Sequence, residues 1–296
     1  MNVLSLFDGM SCGQIALTNL GCFPDKYYAS EVDKFAIQQT RHVFPDTIHI
    51  GDVTQVDVSN LDKIDLIIGG SPCQSFSFAG KQEGMTTTEN VEVTDLDQYL
   101  DLKIMGFEFT GQSYLFWEYM RILTEIRKYN PDVKFLLENV KMSKKWEAVL
   151  TNAIGVEPVM INSNLVSAQI RKRLYWTNIA QIAQPEDEGV FIRDILEDDK
   201  DGVVVASRGQ LCADGVWRQH LYRRTDGKSN CLTTVKKLNM LQTRAGIRHL
   251  TPVECARLQT VPDWYEWVVS DTQICRMCGN GWTVRVIEHI LKNLFV

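Results

Sequence analysis

Short apolar runs alternate along the chain with longer stretches of helical periodicity. Residues 3–7, 27–30, 47–50, 64–68, 134–137, 158–161 and 174–176 read as strands, and residues 14–20, 34–43 and 114–128 as helices between them. Several of these strands are apolar at nearly every position, the mark of strands covered on both faces. The pattern predicts an α/β fold, a doubly wound, mostly parallel sheet. Residues 192–248 lack a clear period and are rich in turn residues, so they predict a small irregular domain. Thr251-Pro252-Val253-Glu254 then opens a helix: Thr suits the N-cap, Pro the first helical position and Glu the capping box. A last helix over 284–294 is expected to pack back on the first domain. The expected organisation is a main domain over 1–190, a small one over 191–248, and a return over 249–296 that completes the first. The chain shows no internal repeat and no low-complexity segment.

Chemistry-bearing residues gather where these strands end. Ile67-Ile68-Gly69-Gly70-Ser71-Pro72-Cys73-Gln74 places one thiol on a turn directly after an interior strand, where open sheets present ligands and nucleophiles. Glu138-Asn139-Val140 follows the apolar Phe135-Leu136-Leu137, and Gln169-Ile170-Arg171-Lys172-Arg173 precedes another strand. Phe7-Asp8-Gly9-Met10-Ser11-Cys12-Gly13 forms a strand-to-helix turn that lacks the dinucleotide glycine fingerprint. Its free amides would face an anion such as a carboxylate. Glu31 and Asp52 end the next two strands, suited to ribose hydroxyls and an adenine amino group respectively. The series favours a nucleoside-bearing cofactor.

The order of Phe7-Asp8-Gly9, Pro72-Cys73-Gln74, Glu138-Asn139-Val140, Gln169-x-Arg171-x-Arg173 and Gly279-Asn280-Gly281 resembles the DNA cytosine-5 methyltransferase family over nearly the whole chain. The run from Asn2 to Gly9, Ala29-Ser30-Glu31-Val32, Ser167-Ala168 and Trp282 are closest in wording to de novo DNA methyltransferases and phage-type relatives. The resemblance implies a Rossmann-like, S-adenosylmethionine-dependent catalytic domain, a target-recognition domain over 191–248, and S-adenosylhomocysteine as product. It assigns Cys73 as the nucleophile that adds to cytosine C6. Glu138 is assigned to N3 and the exocyclic amine, Arg173 to O2, and Arg171 to support of the Cys73 loop. The implied cofactor pocket draws on Phe7, Asp8, Gly9, Met10 and Cys12 of the first turn. Glu31, Val32, Asp52, Val53 and Pro72 come from later strand ends, and Leu115, Asn280 and Trp282 complete it. Such chemistry requires the target base to leave the duplex stack. Gly80, Gly84 and the polar stretch after them read as a mobile loop closing over that base. Two departures stand out. Residues 85–111 are longer and more acidic than the usual loop, and Gly281 stands where many relatives have Ser.

Charge first argues against a nucleic-acid partner, because the formal net charge is −6 and the isoelectric point about 5.5. Its distribution reverses that conclusion. Between 203 and 250 stand nine basic residues against only Asp214 and Asp226, with Trp217, His220 and Tyr222 interleaved. Double-stranded DNA is the expected partner, contacted by Arg208, Arg223, Arg224, Lys228, Lys236 and Arg244, and by Gln74, Ser75 and Lys81 after the nucleophile. Arg248 and Arg257 flank the return helix and are expected to serve it. So short a recognition segment implies a target of roughly two to four base pairs. A cognate restriction enzyme is a possible companion; the oligomeric state is not legible.

The 296 residues, 45% of them hydrophobic, can bury a large core, and no apolar run is long enough to cross a bilayer. A soluble intracellular protein of a bacterial or phage-infected cell is expected, with its eight cysteines as free thiols. Cys275-x-x-Cys278 lacks a second pair at zinc spacing, and no metal is expected. The Cys-Phe-Thr motif of the tRNA-methylating branch does not occur. Catalytically silent relatives lose the Cys or the Glu, and both are present here. A small-molecule methyltransferase would not need the basic segment.

Overall fold

The computed structural model describes residues 1–73, 85–212 and 216–295. The first part of the chain folds as β1 (Asn2–Leu6), α1 (Cys12–Asn19), β2 (Lys26–Ser30), α2 (Lys34–Val43), β3 (Ile48–His49) and β4 (Leu66–Gly70). It continues with α3 (Leu96–Ile104), α4 (Phe116–Tyr129), β5 (Lys134–Val140), α5 (Lys144–Ile154), β6 (Val159–Asn162) and β7 (Lys172–Thr177). These strands make one seven-stranded sheet in the order β3-β2-β1-β4-β5-β7-β6. Only β7 runs against its neighbours.

Alternation along the interior strands sends side chains to two cores. Leu4, Leu6, Ile67, Phe135 and Leu137 meet Trp117 and Tyr119 of α4 and Trp146 of α5 on one face. Val3, Leu66, Ile68 and Leu136 meet Ile15 and Leu17 of α1 and the C-terminal helices on the other. Register then aligns the functional edge. Leu6 stands opposite both Ser30 and Gly69, and Gly70 opposite Glu138, so the turns after β1, β2 and β4 open together beside Glu138. Because β7 is antiparallel, its start lies at that same edge, and Arg173 pairs with Val140.

Two local expectations are corrected here. Glu138 lies within β5 rather than beyond its end. Residues 85–111 are no long loop: bridges Thr86–Glu92 and Thr87–Phe109 frame α3, and Met85, Val93 and Tyr99 are buried. The appendage is fastened to α4 through the buried Glu118, which accepts from Tyr99 Oη and Lys103 Nζ at 2.5 Å and Arg121 Nε at 2.7 Å.

After α6 (Ile192–Ile195), the segment expected to be irregular forms a four-stranded antiparallel sheet. Its strands are β8 (Val203–Leu211), β9 (Trp217–Arg223), β10 (Met240–Thr243) and β11 (Gly246–His249), in the order β11-β10-β8-β9. Val204 and Leu241 join the core cluster of α1 and the C-terminal helices. Every residue of β9 is exposed, while β8 is buried at Val204, Val205 and Ala206 and exposed at 208–210, so the pair leaves the core as a ribbon open at that end.

The return consists of α7 (Pro252–Leu258), α8 (Asp271–Asn280) and α9 (Val284–Leu291). The expected capping box is present, with Glu254 N–H donating to Thr251 Oγ1 at 3.1 Å and Thr251 N–H to Glu254 Oε2 at 2.9 Å. Arg248 grips the buried Glu254 with two bonds of 2.8 Å, as expected of a residue serving this helix. Arg257 is likewise turned to structure, donating to Ile195 O. Among the described residues, no helix is long and apolar enough to cross a membrane.

Candidate active site

The turn after β1 is held in unusual backbone conformations. Phe7, Gly9 and Ser11 have φ near +60° (60°, 58° and 63°), a region that costs a non-glycine residue about 1–3 kcal/mol. Asp8 anchors the turn from inside: Tyr27 Oη donates to its Oδ1 at 2.9 Å, while its buried Oδ2 has no partner. Burial pushes its carboxyl up to about 6. The free amides expected of the turn are largely taken. Asp8 N–H donates to Ser30 O, Ser11 N–H to Asp8 O, and Gly9 N–H to Glu31 Oε2 at 2.7 Å. Glu31 Oε1 accepts from the amides of Val32 and Asp33 at 2.8 Å. Asp52 is exposed and spends Oδ1 on the amide and hydroxyl of Thr54. Of the other residues implied for the pocket, Phe7 and Leu115 are half-buried, Val32 and Asn280 exposed, and Met10, Cys12, Val53 and Trp282 buried.

Cys73, the expected nucleophile, lies one strand away. Asn139 Nδ2 donates to Ser71 Oγ at 3.0 Å and to Ser71 O at 3.3 Å, tying β5 to the turn that carries half-buried Pro72 and Cys73. Glu138 is bound on both oxygens. Arg173 Nε stands 2.8 Å from Oε1, and the indole N–H of Trp282 donates to Oε2 at 3.1 Å. Burial pushes the Cys73 thiol up and the charge of Glu138 adds to this, while Arg173 and Arg171 pull it down.

Arg171 is buried, and its charge lowers the Cys73 thiol. Among the described residues its side chain donates to Gly281 O at 2.7 Å, Leu232 O at 3.1 Å and Cys231 Sγ at 3.2 Å. Arg173 Nη2 also reaches Cys231 Sγ, at 3.5 Å. Sequence reasoning missed this second thiol, and gave Asn139 no role of its own; nothing in Ser229-Asn230-Cys231-Leu232 marks a site locally. Burial raises the Cys231 thiol, but the two guanidiniums outweigh it and the net shift is downward. Iodoacetamide is therefore expected to label Cys231 at lower pH than Cys73 in the free protein, read by peptide mass spectrometry. The reverse order would show that the guanidinium charges do not govern these thiols.

The expected DNA contacts divide. Lys228 is buried, its ammonium on Asn164 O, Ser167 O and Val190 O at 2.8, 3.2 and 2.5 Å, so it is a structural clamp and not a phosphate contact. Arg224 is spent on Asp226 and Asn230. Arg223 is exposed and donates to Gln242, and Arg244 stands exposed near Asp201. Arg208 lies over the Tyr222 ring, 5.9 Å from its centroid. Lys236 lies on a single 3₁₀ turn. Gln74, Ser75, Lys81 and the loop containing Gly80 and Gly84 fall outside the described residues.

The model of C-5 cytosine-specific DNA methylases matches residues 1–101 and 160–296. The chain belongs to this family. It is a cytosine-5 DNA methyltransferase with the Rossmann-like fold of S-adenosylmethionine-dependent methyltransferases. It is 27% identical to the type II methyltransferase M1.ScrFI of Lactococcus lactis subsp. cremoris, over 90% of this chain and 71% of that protein. Against the type II methyltransferase M.Bsp6I of Bacillus sp. (strain RFL6) the identity is 24%, over 100% and 98%. The crystal structure of a Spodoptera frugiperda DNMT2 mutant matches with a TM-score of 0.67 and 19% identity, over 100% of this chain and 99% of that one. That last likeness speaks for the fold alone.

Proposed function

We propose that the protein methylates C5 of a cytosine flipped out of duplex DNA, through a covalent bond between Cys73 and C6. The observation that carries this reading is the convergence of Cys73, Glu138 and Arg173 at one sheet edge, with both charges acting on the thiol. Cytosine C5 is a poor nucleophile until a group adds at C6. The Cys73 thiol passes its proton by way of water to Glu138 and Sγ bonds to C6; the ring electrons shift toward N3, which takes that proton from Glu138. Arg173 faces the charge on O2. The charge of Glu138 raises the Cys73 thiol while Arg173 and Arg171 lower it, so the site holds both a proton acceptor and counter-charges for the thiolate. S-adenosylmethionine, when bound, supplies a sulfonium-activated methyl group to C5. Water then takes the C5 proton, its electron pair returns to the ring and expels Cys73, and N3 gives its proton back to Glu138.

The residues around the first turn fit that cofactor. Asp8, Glu31 and Asp52 form a wholly acidic set of acceptors at consecutive strand ends with apolar Phe7 and Val32, and among the described residues Asp8 keeps one buried oxygen without a partner. Such a set opposes a pyrophosphate and suits a nucleoside with sulfonium and ammonium charges. Comparing methyl transfer to duplex DNA and to tRNA, followed by bisulfite mapping, tests the reading. Label on tRNA alone would overturn it.

For recognition, the reading takes 1–190 with 249–296 as the catalytic part and 191–248 as the target-recognition domain. The β8–β9 ribbon supports it: Arg208, Gln210, Arg218, His220 and Tyr222 share one face, and a two-stranded ribbon fits a major groove. Arg208→Ala is expected to reduce the salt slope of DNA binding by about one, or to relax site choice. Lys228→Met should leave both unchanged and lower the melting temperature, since it strands three carbonyls. Unchanged salt slope and site choice across the ribbon variants would move recognition elsewhere. The type II methyltransferase relatives support a place beside a restriction enzyme.

A further inference from the structure

The family resemblance gives Trp282 a place in the cofactor pocket, but its indole nitrogen points to a different task. Trp282 is buried and donates to Glu138 Oε2 at 3.1 Å. A methyl group on Gly70 would lie 2.8 Å from Trp282 Nε1 and 3.1 Å from Glu138 Oε2, so the bare backbone at the end of β4 is what lets the indole reach the carboxylate. The residue is also fixed from behind. Cys12 Sγ, on the cofactor turn, donates to Trp282 O, and Arg171 holds the preceding carbonyl, Gly281 O, at 2.7 Å. A Cβ on Gly281 would come within 3.2 Å of both Cys12 Sγ and Met10 Cε, so the backbone here lies tight against the cofactor turn.

Glu138 thus has two donors of different character. Arg173 divides its guanidinium between Glu138, Lys172 O and Cys231 Sγ and, in the reading above, O2 of the base, whereas among the described residues the indole N–H is given to Glu138 alone. An indole nitrogen is a donor only, so it fixes Oε2 as an acceptor throughout. We propose that Trp282 is the positioning residue for Glu138: its N–H keeps the carboxyl oriented while Arg173 engages the base, and ties that orientation to the cofactor turn. This rests on the catalytic reading of Glu138 given above.

Trp282→Phe keeps an aromatic ring and removes the N–H. The expected result is a fall in kcat of about tenfold, the loss of one hydrogen bond to a charged group, with S-adenosylhomocysteine affinity within about twofold of the parent by calorimetry. In a Glu138→Gln background the same substitution is expected to cost nothing further, because the proton-giving carboxyl that the indole orients is already gone. Substituting β-(3-benzothienyl)alanine at 282 replaces N–H by sulfur at nearly constant shape, and should reproduce the fall in kcat if phenylalanine leaves a cavity that unfolds the protein. Unchanged kcat in the benzothienyl protein would overturn the proposal. So would an equal loss of rate and cofactor affinity, or a full further loss in the Glu138→Gln background. A failure of the catalytic reading would show separately, as absence of a covalent adduct between the parent enzyme and 5-fluorocytosine DNA.

Discussion

Cys73→Ser is expected to reduce methyl transfer by at least about 100-fold while leaving S-adenosylmethionine affinity near that of the parent. The half-buried Cys73 sits on a turn clamped by Asn139, so an isosteric change should not disturb the fold. What changes is chemistry: a hydroxyl is far harder to ionise than a thiol, and losing the attacking anion costs several kcal/mol of barrier. Burial and the charge of Glu138 hold the Cys73 thiol above its ordinary range in the free protein, so kcat/KM should rise with pH as the thiol ionises. A duplex carrying 5-fluorocytosine adds a direct readout. Fluorine at C5 cannot leave as a proton does, so elimination stops and the protein stays bonded to DNA. Peptide mapping must then place the adduct on Cys73 and not on Cys231, which lies beside the same arginines. A serine variant keeping more than about a hundredth of parental turnover, or an adduct on Cys231, would sink the covalent mechanism.

The sequence makes the sheet edge legible because strand ends are local events. An apolar run followed by glycine, proline or a charge marks where a buried strand stops, and register does the rest: Leu6, Ser30, Gly69 and Glu138 fall into line once the strands pair. Local pattern fails where burial has no period. All seven residues of β9 are exposed, so no apolar face announces the strand, and the sheet of residues 203–249 reads as irregular. The acidic stretch around α3 misleads for a related reason. Its charges lie outward, and the few residues that dock it, Met85, Val93 and Tyr99, are spaced too widely to show a period. Partners of polar side chains are the other gap. Lys228 looks like its basic neighbours, yet it is folded over three carbonyls; Glu31 serves the Gly9 amide, and Cys231 gains its character only from Arg171 and Arg173.

Glu138→Gln is expected to lower kcat by roughly 100-fold or more, and Arg173→Ala by a similar factor, with cofactor affinity little changed in either. The resting carboxylate accepts from Arg173 Nε on one oxygen and from Trp282 Nε1 on the other. An amide has only one oxygen, so its NH2 must oppose one of these donors, and it carries no proton acidic enough to give to N3. The two substitutions should nonetheless move Cys73 in opposite directions. The charge of Glu138 raises the Cys73 thiol, so removing it increases the thiolate fraction at fixed pH; Arg173 lowers that thiol, so removing it has the contrary effect. Iodoacetamide should therefore label Cys73 faster than in the parent when Glu138 is glutamine and more slowly when Arg173 is alanine, although both proteins are nearly inactive. A shared electrostatic site predicts this divergence between activity and thiol reactivity. Two variants that lose rate, cofactor affinity and Cys73 labelling together would instead mark Glu138 and Arg173 as parts of the scaffold.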